Sequence, residues 1–144
     1  MSTTPLGWSL GLRAATSADA IARVERGFPP TAADRLADRL ALSPAELARA
    51  AGASPRTLAR RRQAGRLAPE ESDRLYRLAR LFEKAVETFD ADGEREAAED
   101  DARRWFHLPQ WALGGSTPLA YAHTEPGARE VEALLHRIDH GVLA

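Results

Sequence analysis

The chain has 144 residues, no cysteine, and a composition rich in Ala, Leu, Arg and Glu with few aromatics, which favours helix and excludes disulfides and thiolate metal sites. No apolar run approaches the ~20 residues that cross a bilayer, and the N-terminus lacks the basic start and long apolar core of a signal peptide, so a cytoplasmic protein with no membrane partner is expected. Net charge is −1, yet residues 1–89 carry 15 Lys+Arg against 10 Asp+Glu while residues 90–144 carry 5 against 11; the first half suits nucleic acid and the second would repel it.

Residues 1–16 lack periodicity and read as a flexible segment in which Trp8 can dock. Ser17 can cap a short helix carrying Ile21 and Val24, ending near Gly27 and the Pro29-Pro30 pair. Thr31 starts the next helix, with Ala33, Leu36, Ala37 and Leu40 on one face. Then "SPAELAR" (Ser43 to Arg49) recurs as "SPRTLAR" (Ser54 to Arg60), shifted by 11 residues. In each copy Ser can be the N-cap and Pro the first helical residue, where a missing N–H costs nothing. Glu46 completes a capping box with Ser43, and Gly52 is placed to end the first helix in a left-handed conformation. Helix, tight turn, helix is the unit of a helix-turn-helix. The small Ala48 lets its helices approach, and Leu58 packs back under the first.

A further helix runs from Pro69 to Phe89 with the stripe Leu75, Leu78, Phe82, Ala85 and Phe89. The acidic "DADGEREAAEDD" follows, broken at Gly93. Helix resumes with Ala98, Ala102 and Trp105 on one face, which predicts Trp105 in the core, anchoring the acidic helix to the last one. After the loop in "WFHLPQWALGGSTPLAY", Thr117-Pro118 opens a short helix and Thr124 with Glu125-Pro126 opens the last, which buries Ala128, Val131, Leu134, Leu135 and Ile138. Gly141 is a left-handed stop with Val142 as its apolar partner. No segment alternates with period two, so an all-α protein without a sheet is expected. Its expected parts are a flexible 1–16, a DNA-binding domain over 17–89, an acidic connector and helix over 90–104, and a C-terminal domain over 105–144.

The second repeated helix carries Arg56, Arg60, Arg61, Arg62 and Gln63, with Arg66 just beyond. In a helix-turn-helix the N-terminal residues of the second helix meet the bases, which places Ser54, Arg56 and Thr57 nearest base edges. Arg60, Arg61 and Arg62 then meet phosphates. The competing reading is a solvated arginine face, or arginines paired with Glu70, Glu71 and Asp73. Two half-sites call for a homodimer. Glu132, His136 and His140 share a helical face, but Arg137 follows His136 where a metalloprotease helix has Glu, and no third ligand is evident. That face therefore reads as polar surface or partner contact. The Gly114-Gly115 pair has neither the strand context nor the Lys of a phosphate loop, and Ser116 lacks a nucleophile elbow. No enzyme activity, metal or cofactor is expected. Trp111 lies in a loop with no helical face to join, which points to partner contact. The two glycines permit backbone angles other residues resist, and close backbone approach.

With these elements in place the chain resembles, over about residues 20–144, the Xre/MbcA/ParS-type antitoxins, which join an Xre-like helix-turn-helix to a C-terminal toxin-binding domain. The stretch "SPRTLARRRQAGRLAPEESDRLYRLARLFEKAVETF" carries the family's T-L-x-R-R and E-S-D-R-L elements. The stretch "ARRWFHLPQWALGGSTPLAYAHTEPGAREVEALLHRIDHGVLA" carries A-x-x-W, P, L-G-G-x-T-P-L, G-A-x-x-V, L-x-R-I and H-G-V in order. Phe106 and Gln110 depart from the usual aliphatic residue and Asn. The resemblance implies an Xre-like helix-turn-helix bundle followed by a small helical toxin-binding domain. It also implies a non-enzymatic protein that blocks a cognate toxin, usually a RES-domain protein that consumes NAD or ADP-ribosylates a target, and that binds operator DNA to repress its own operon. Toxin contact then falls to Trp111, Leu113, Gly114, Gly115, Thr117 and Pro118, with His136, His140, Gly141 and Val142 at the chain's end. The alternative is a helix-turn-helix transcription regulator whose C-terminal half serves only dimerisation or ligand sensing; a DNA-binding enzyme subunit is a third. A neighbouring gene for a small toxin separates the first two.

Overall fold

The structure, a computed structural model, describes residues 4–141. The fold is all-α: the described residues form eight α-helices and two short 3-10 turns, with one isolated antiparallel bridge between Leu6 and Ala14. No helix among them is long and apolar enough to cross a membrane. The chain divides into two compact units, one ending at Arg80 and one starting at Leu81. This division lies nine residues before the break expected after Phe89, because a continuous helix runs through it and no interruption of periodicity marks it. Divided there, the first unit carries 14 Lys+Arg against 8 Asp+Glu and the second 6 against 13, balances of +6 and −7.

The first unit holds α1 (Ser17–Arg26), α2 (Pro30–Leu40), α3 (Pro44–Ala51), α4 (Pro55–Ala64) and the start of α5 (Pro69–Phe89). Residues 4–16 are ordered rather than loose. The Leu6 N–H donates to the Ala14 carbonyl at 2.9 Å, a 3-10 turn spans Trp8–Leu10 and packs on α2, and Leu10, Leu12 and Ala14 are buried. The Arg39 guanidinium lies 5.2 Å from the centroid of the Trp8 ring. Two left-handed glycines, Gly7 and Gly11, set these buried residues in a turn, so no helical period betrays them. Thr16 rather than Ser17 caps α1, accepting the Asp19 N–H at 3.1 Å. Helix α2 starts at Pro30, whose fixed φ suits a first helical position, one residue ahead of Thr31.

The repeated motif folds as its caps dictate. The Ser43 N–H donates to Glu46 Oε1 at 2.8 Å and the Glu46 N–H to Ser43 Oγ at 3.1 Å, closing the capping box of α3. Gly52 ends α3 at φ 71°, and Ser54 caps α4 through the Thr57 N–H at 3.1 Å. Leu36, Leu40, Leu47, Ala48, Ala51, Leu58 and Leu75 are buried. A hydrogen-bonded seam ties the residues after α1 to the start of α5. The Phe28 N–H donates to Ser72 Oγ at 2.8 Å, Ser72 Oγ donates to the Ala68 carbonyl at 2.9 Å, and the Leu67 N–H donates to the Phe28 carbonyl at 2.9 Å.

The second unit holds the rest of α5, then α6 (Arg95–Phe106), α7 (Pro118–Tyr121) and α8 (Glu125–Asp139). Thr117 and Thr124 cap α7 and α8 through the Ala120 and Gly127 N–H groups, each at 3.1 Å. Its core includes Phe82, Ala85, Val86, Ala98, Ala102, Phe106, Val131 and Leu135. Ala98, Ala102 and Phe106 recur every four residues, so the aromatic anchor of α6 is Phe106. Trp105, expected in the core, is half-buried on its flank, edge-on to Phe106 at 5.2 Å and to Phe89 at 5.9 Å. On α8 the buried stripe is Ala128, Val131, Leu134 and Leu135; Ile138, expected with them, sits in the last turn and is 37% exposed.

Candidate functional site

Two surfaces carry the residues singled out by sequence. On the first unit, Arg56, Arg60 and Gln63 lie at i, i+4 and i+7 along α4 and are all exposed, so one outward face presents them together. Ser54 and Thr57 sit at the start of that helix, with Ser54 Oγ donating to Thr57 Oγ1 at 3.0 Å. The remaining arginines are engaged within the chain. Arg61 Nε donates to both carboxylate oxygens of Glu71, at 3.1 and 3.3 Å. Arg62 makes a two-pronged pair with Asp34 at 2.8 and 2.9 Å. Arg66 donates to the Gly27 and Arg26 carbonyls at 2.9 and 3.2 Å. Arg61 and Arg62, expected on phosphates, are thus paired within the fold, with Glu71 and Asp34 rather than Glu70 or Asp73.

Glu71 is buried and also accepts the Ala68 N–H at 2.8 Å, so it caps the start of α5 while it holds Arg61. Burial pushes its carboxyl up. The hydrogen bonds from Arg61 and Ala68, with the charges of Arg61 and Arg60, outweigh burial and leave it below the ordinary carboxylate value.

On the second unit the loop between α6 and α7 is clasped by its own backbone. The Gln110 N–H donates to the Ser116 carbonyl at 3.0 Å, and the Gly115 N–H returns to the Gln110 carbonyl at 2.9 Å. Between them a 3-10 turn, Trp111–Leu113, closes with the Gly114 N–H on the Trp111 carbonyl at 3.0 Å. The clasp splits the residues expected at a toxin interface. Leu113 and Pro118 are buried and belong to the core, and Thr117 is a helix cap. Trp111 is 83% exposed, and Leu108 on the same loop is 54% exposed. Gly114 and Gly115 stand at φ 66° and 88°, so their backbone angles call for glycine. Close approach within the chain is not the reason, since a Cβ on either would meet no atom within 4 Å.

At the end of α8, His136 and His140 are exposed, with ring centroids 4.1 Å apart and His140 Nδ1 2.9 Å from the His136 carbonyl oxygen. Gly141 is exposed at φ 71°; Val142 lies outside the described residues. No group of three or more His, Asp or Glu among the described residues could hold a metal ion.

Residues 19–80 match the antitoxin Xre-like helix-turn-helix domain, and residues 78–141 match the antitoxin Xre/MbcA/ParS C-terminal toxin-binding domain. A protein of Yersinia enterocolitica named antitoxin Xre is 34% identical over 99% of this chain and 93% of its own length. The chain belongs to the Xre antitoxin family. Proteins of the same name from Photorhabdus laumondii and Pseudomonas putida are 29% and 32% identical, over 99% and 83% of this chain and 93% and 70% of their own lengths. The family is non-enzymatic. The two domain matches meet at residues 78–80, where the two structural units of the chain divide.

One residue of the toxin-binding domain, the glycine of the G-A-x-x-V element, has a packing role that the sequence analysis did not assign. Gly127 lies in the first turn of α8, and a Cβ there would stand 1.7 Å from the Tyr121 carbonyl oxygen. Only glycine lets the start of α8 pass that carbonyl. The available signal was a glycine inside a helix, where it costs about 1 kcal/mol against alanine and so calls for a packing reason.

Proposed function

We propose that this Xre antitoxin neutralises a RES-domain toxin, one that consumes NAD or ADP-ribosylates a target, by direct protein binding, and that it represses its own operon as a homodimer through α4. Trp111 carries the reading: an indole left 83% exposed on a loop held by its own backbone hydrogen bonds is a preformed anchor for a partner. Leu108, Gly114 and Gly115 extend that surface, and open space over the glycines leaves room for a partner's backbone. The −7 balance of the unit suits a toxin whose mouth is positive because it takes an anionic dinucleotide. On the first unit, the exposed Arg56, Arg60 and Gln63 face, with Ser54 and Thr57 at its start, meets DNA. Arg61, Arg62 and Arg66 hold that helix in place instead of touching it.

The test is co-expression with the toxin encoded beside the gene, and operator binding measured on the purified antitoxin. Wild type should co-purify with toxin and restore growth. The Arg56→Ala/Arg60→Ala variant should protect cells and lose operator binding, while Trp111→Ala should bind operator and protect poorly. Failure of wild type to form a complex or restore growth would refute the antitoxin assignment to this toxin. Retention of operator binding by the folded double variant would refute the α4 assignment.

A further inference from the structure

The second unit contains six basic residues, and four of them are matched within their own helices. Arg95 pairs with Glu99, Arg103 with Asp100, Arg104 with Asp101 and Arg129 with Glu125. Lys84 on α5 and Arg137 on α8 are different. Both are half-buried, and neither has an ion pair or hydrogen bond among the described residues. They line one open depression of about 560 Å³ together with Arg129, Glu132, Ala133 and His136. Glu132 is exposed there and makes no ion pair with either cation. A partly desolvated cation without a counter-charge loses water without regaining a partner, so two of them in one depression form a receptor for an anion. The surrounding unit, at −7, repels a polyanion such as nucleic acid but tolerates a single carboxylate.

We propose that this depression between α5 and α8 receives an aspartate or glutamate side chain of the toxin, deepening the toxin-binding function proposed above, on which it rests. The toxin surface it fits is basic overall, to match the acidic unit, with one acidic side chain set within it. Such a lone reversed charge fixes the register of docking, because a shifted complex would bring it against like charge.

The test measures affinity of the full-length antitoxin for purified toxin by calorimetry. Lys84→Glu and Arg137→Glu should each weaken binding by about tenfold or more, and Lys84→Gln and Arg137→Gln by about threefold. The glutamine variants, with a wild-type melting temperature, decide the matter if a reversal perturbs folding. Asp→Lys and Glu→Lys variants of the toxin should include one that regains affinity for Lys84→Glu. Trp111→Ala is measured beside them. If Trp111→Ala weakens binding while all four charge variants bind within twofold of wild type, the carboxylate receptor is wrong and the toxin-binding function stands. If wild type binds no toxin, that function fails and this site falls with it. If the reversals weaken operator binding and leave toxin affinity unchanged, the cations meet phosphate and the proposal is overturned.

Discussion

Replacing Gly127 by alanine sets two effects of opposite sign against each other. Alanine is the better helix former by about 1 kcal/mol, so inside an unhindered helix the exchange stabilises. In α8 the new Cβ would lie 1.7 Å from the Tyr121 carbonyl oxygen, 2.9 Å from its carbon and 3.1 Å from Thr124 Oγ1. The first two are backbone atoms and cannot swing aside as a side-chain tip can. The start of α8 must instead move by about 1.5 Å to reach van der Waals contact. Overpacking of this kind costs about 1–3 kcal/mol, and displacing the Thr124 cap costs about 1 kcal/mol more. With the propensity gain subtracted, a net loss of about 1–3 kcal/mol is expected. Urea unfolding of full-length protein measures it, followed by a probe of the second unit such as Trp111 or Trp105 fluorescence. Toxin binding should fall while operator binding persists. A Gly127→Ala protein as stable as wild type, or more so, would refute the steric reasoning.

Trp111→Ala should leave stability within about 0.5 kcal/mol, because little of the ring is buried, yet cost about 2–4 kcal/mol of toxin affinity as an interface anchor; calorimetry and thermal melting must diverge, and a parallel loss in both would contradict an exposed anchor. Gly115→Val forces a β-branched residue to φ 88° at a cost of about 1–3 kcal/mol. Toxin affinity should fall with helicity and operator binding intact, and unchanged neutralisation would dismiss the clasped loop as a platform. Glu71, whose folded carboxyl titrates below the 4.5 of an unperturbed glutamate, contributes stability that is complete above about pH 4.5 and lost as pH falls through its lower folded value. The melting-temperature gap between wild type and Glu71→Gln should therefore be full at pH 7 and narrow toward pH 3; a gap independent of pH would exclude this linkage.

Most features that depend on residues three or four apart were legible, the starts of α1 and α2 and the choice between Trp105 and Phe106 excepted. Ser43, Pro44 and Glu46 announce their capping box, Gly52 its left-handed turn, and the stripe of α5 its whole extent, since caps and periodicity act within one helical turn. Features that join distant residues were not. Nothing near Phe28 says that its N–H will meet Ser72, 44 residues on, nor near Arg62 that its partner is Asp34. The arginine run is plain in the sequence, but which members stay free to face outward depends on where α2 and α5 carry their acids. Trp105 and Phe106 are neighbours with equal claims to the core by composition, and only the four-residue spacing from Ala98 and Ala102 decides between them. Leu113 and Pro118 looked like surface because they flank the glycines. The Gln110–Ser116 clasp encloses a buried Leu113 while Trp111 stays out, and Pro118 is buried at the start of α7.

The engagement of Arg61, Arg62 and Arg66 within the chain also sets how operator binding responds to ionic strength. DNA sheds condensed counterions as a protein neutralises its phosphates, and each such contact tilts the logarithm of the binding constant against that of salt by about 0.9. All five arginines of this segment meeting phosphate would add a slope of about −4.5 per protomer. Arg56 and Arg60 alone add about −2 at most, and less if Arg56 reads a base. The two ion pairs, Arg61 with Glu71 and Arg62 with Asp34, and the carbonyl bonds of Arg66 thus turn groups that would have given salt-sensitive attraction toward rigidity of the reading helix, and occupancy of the operator is correspondingly buffered against changes in salt.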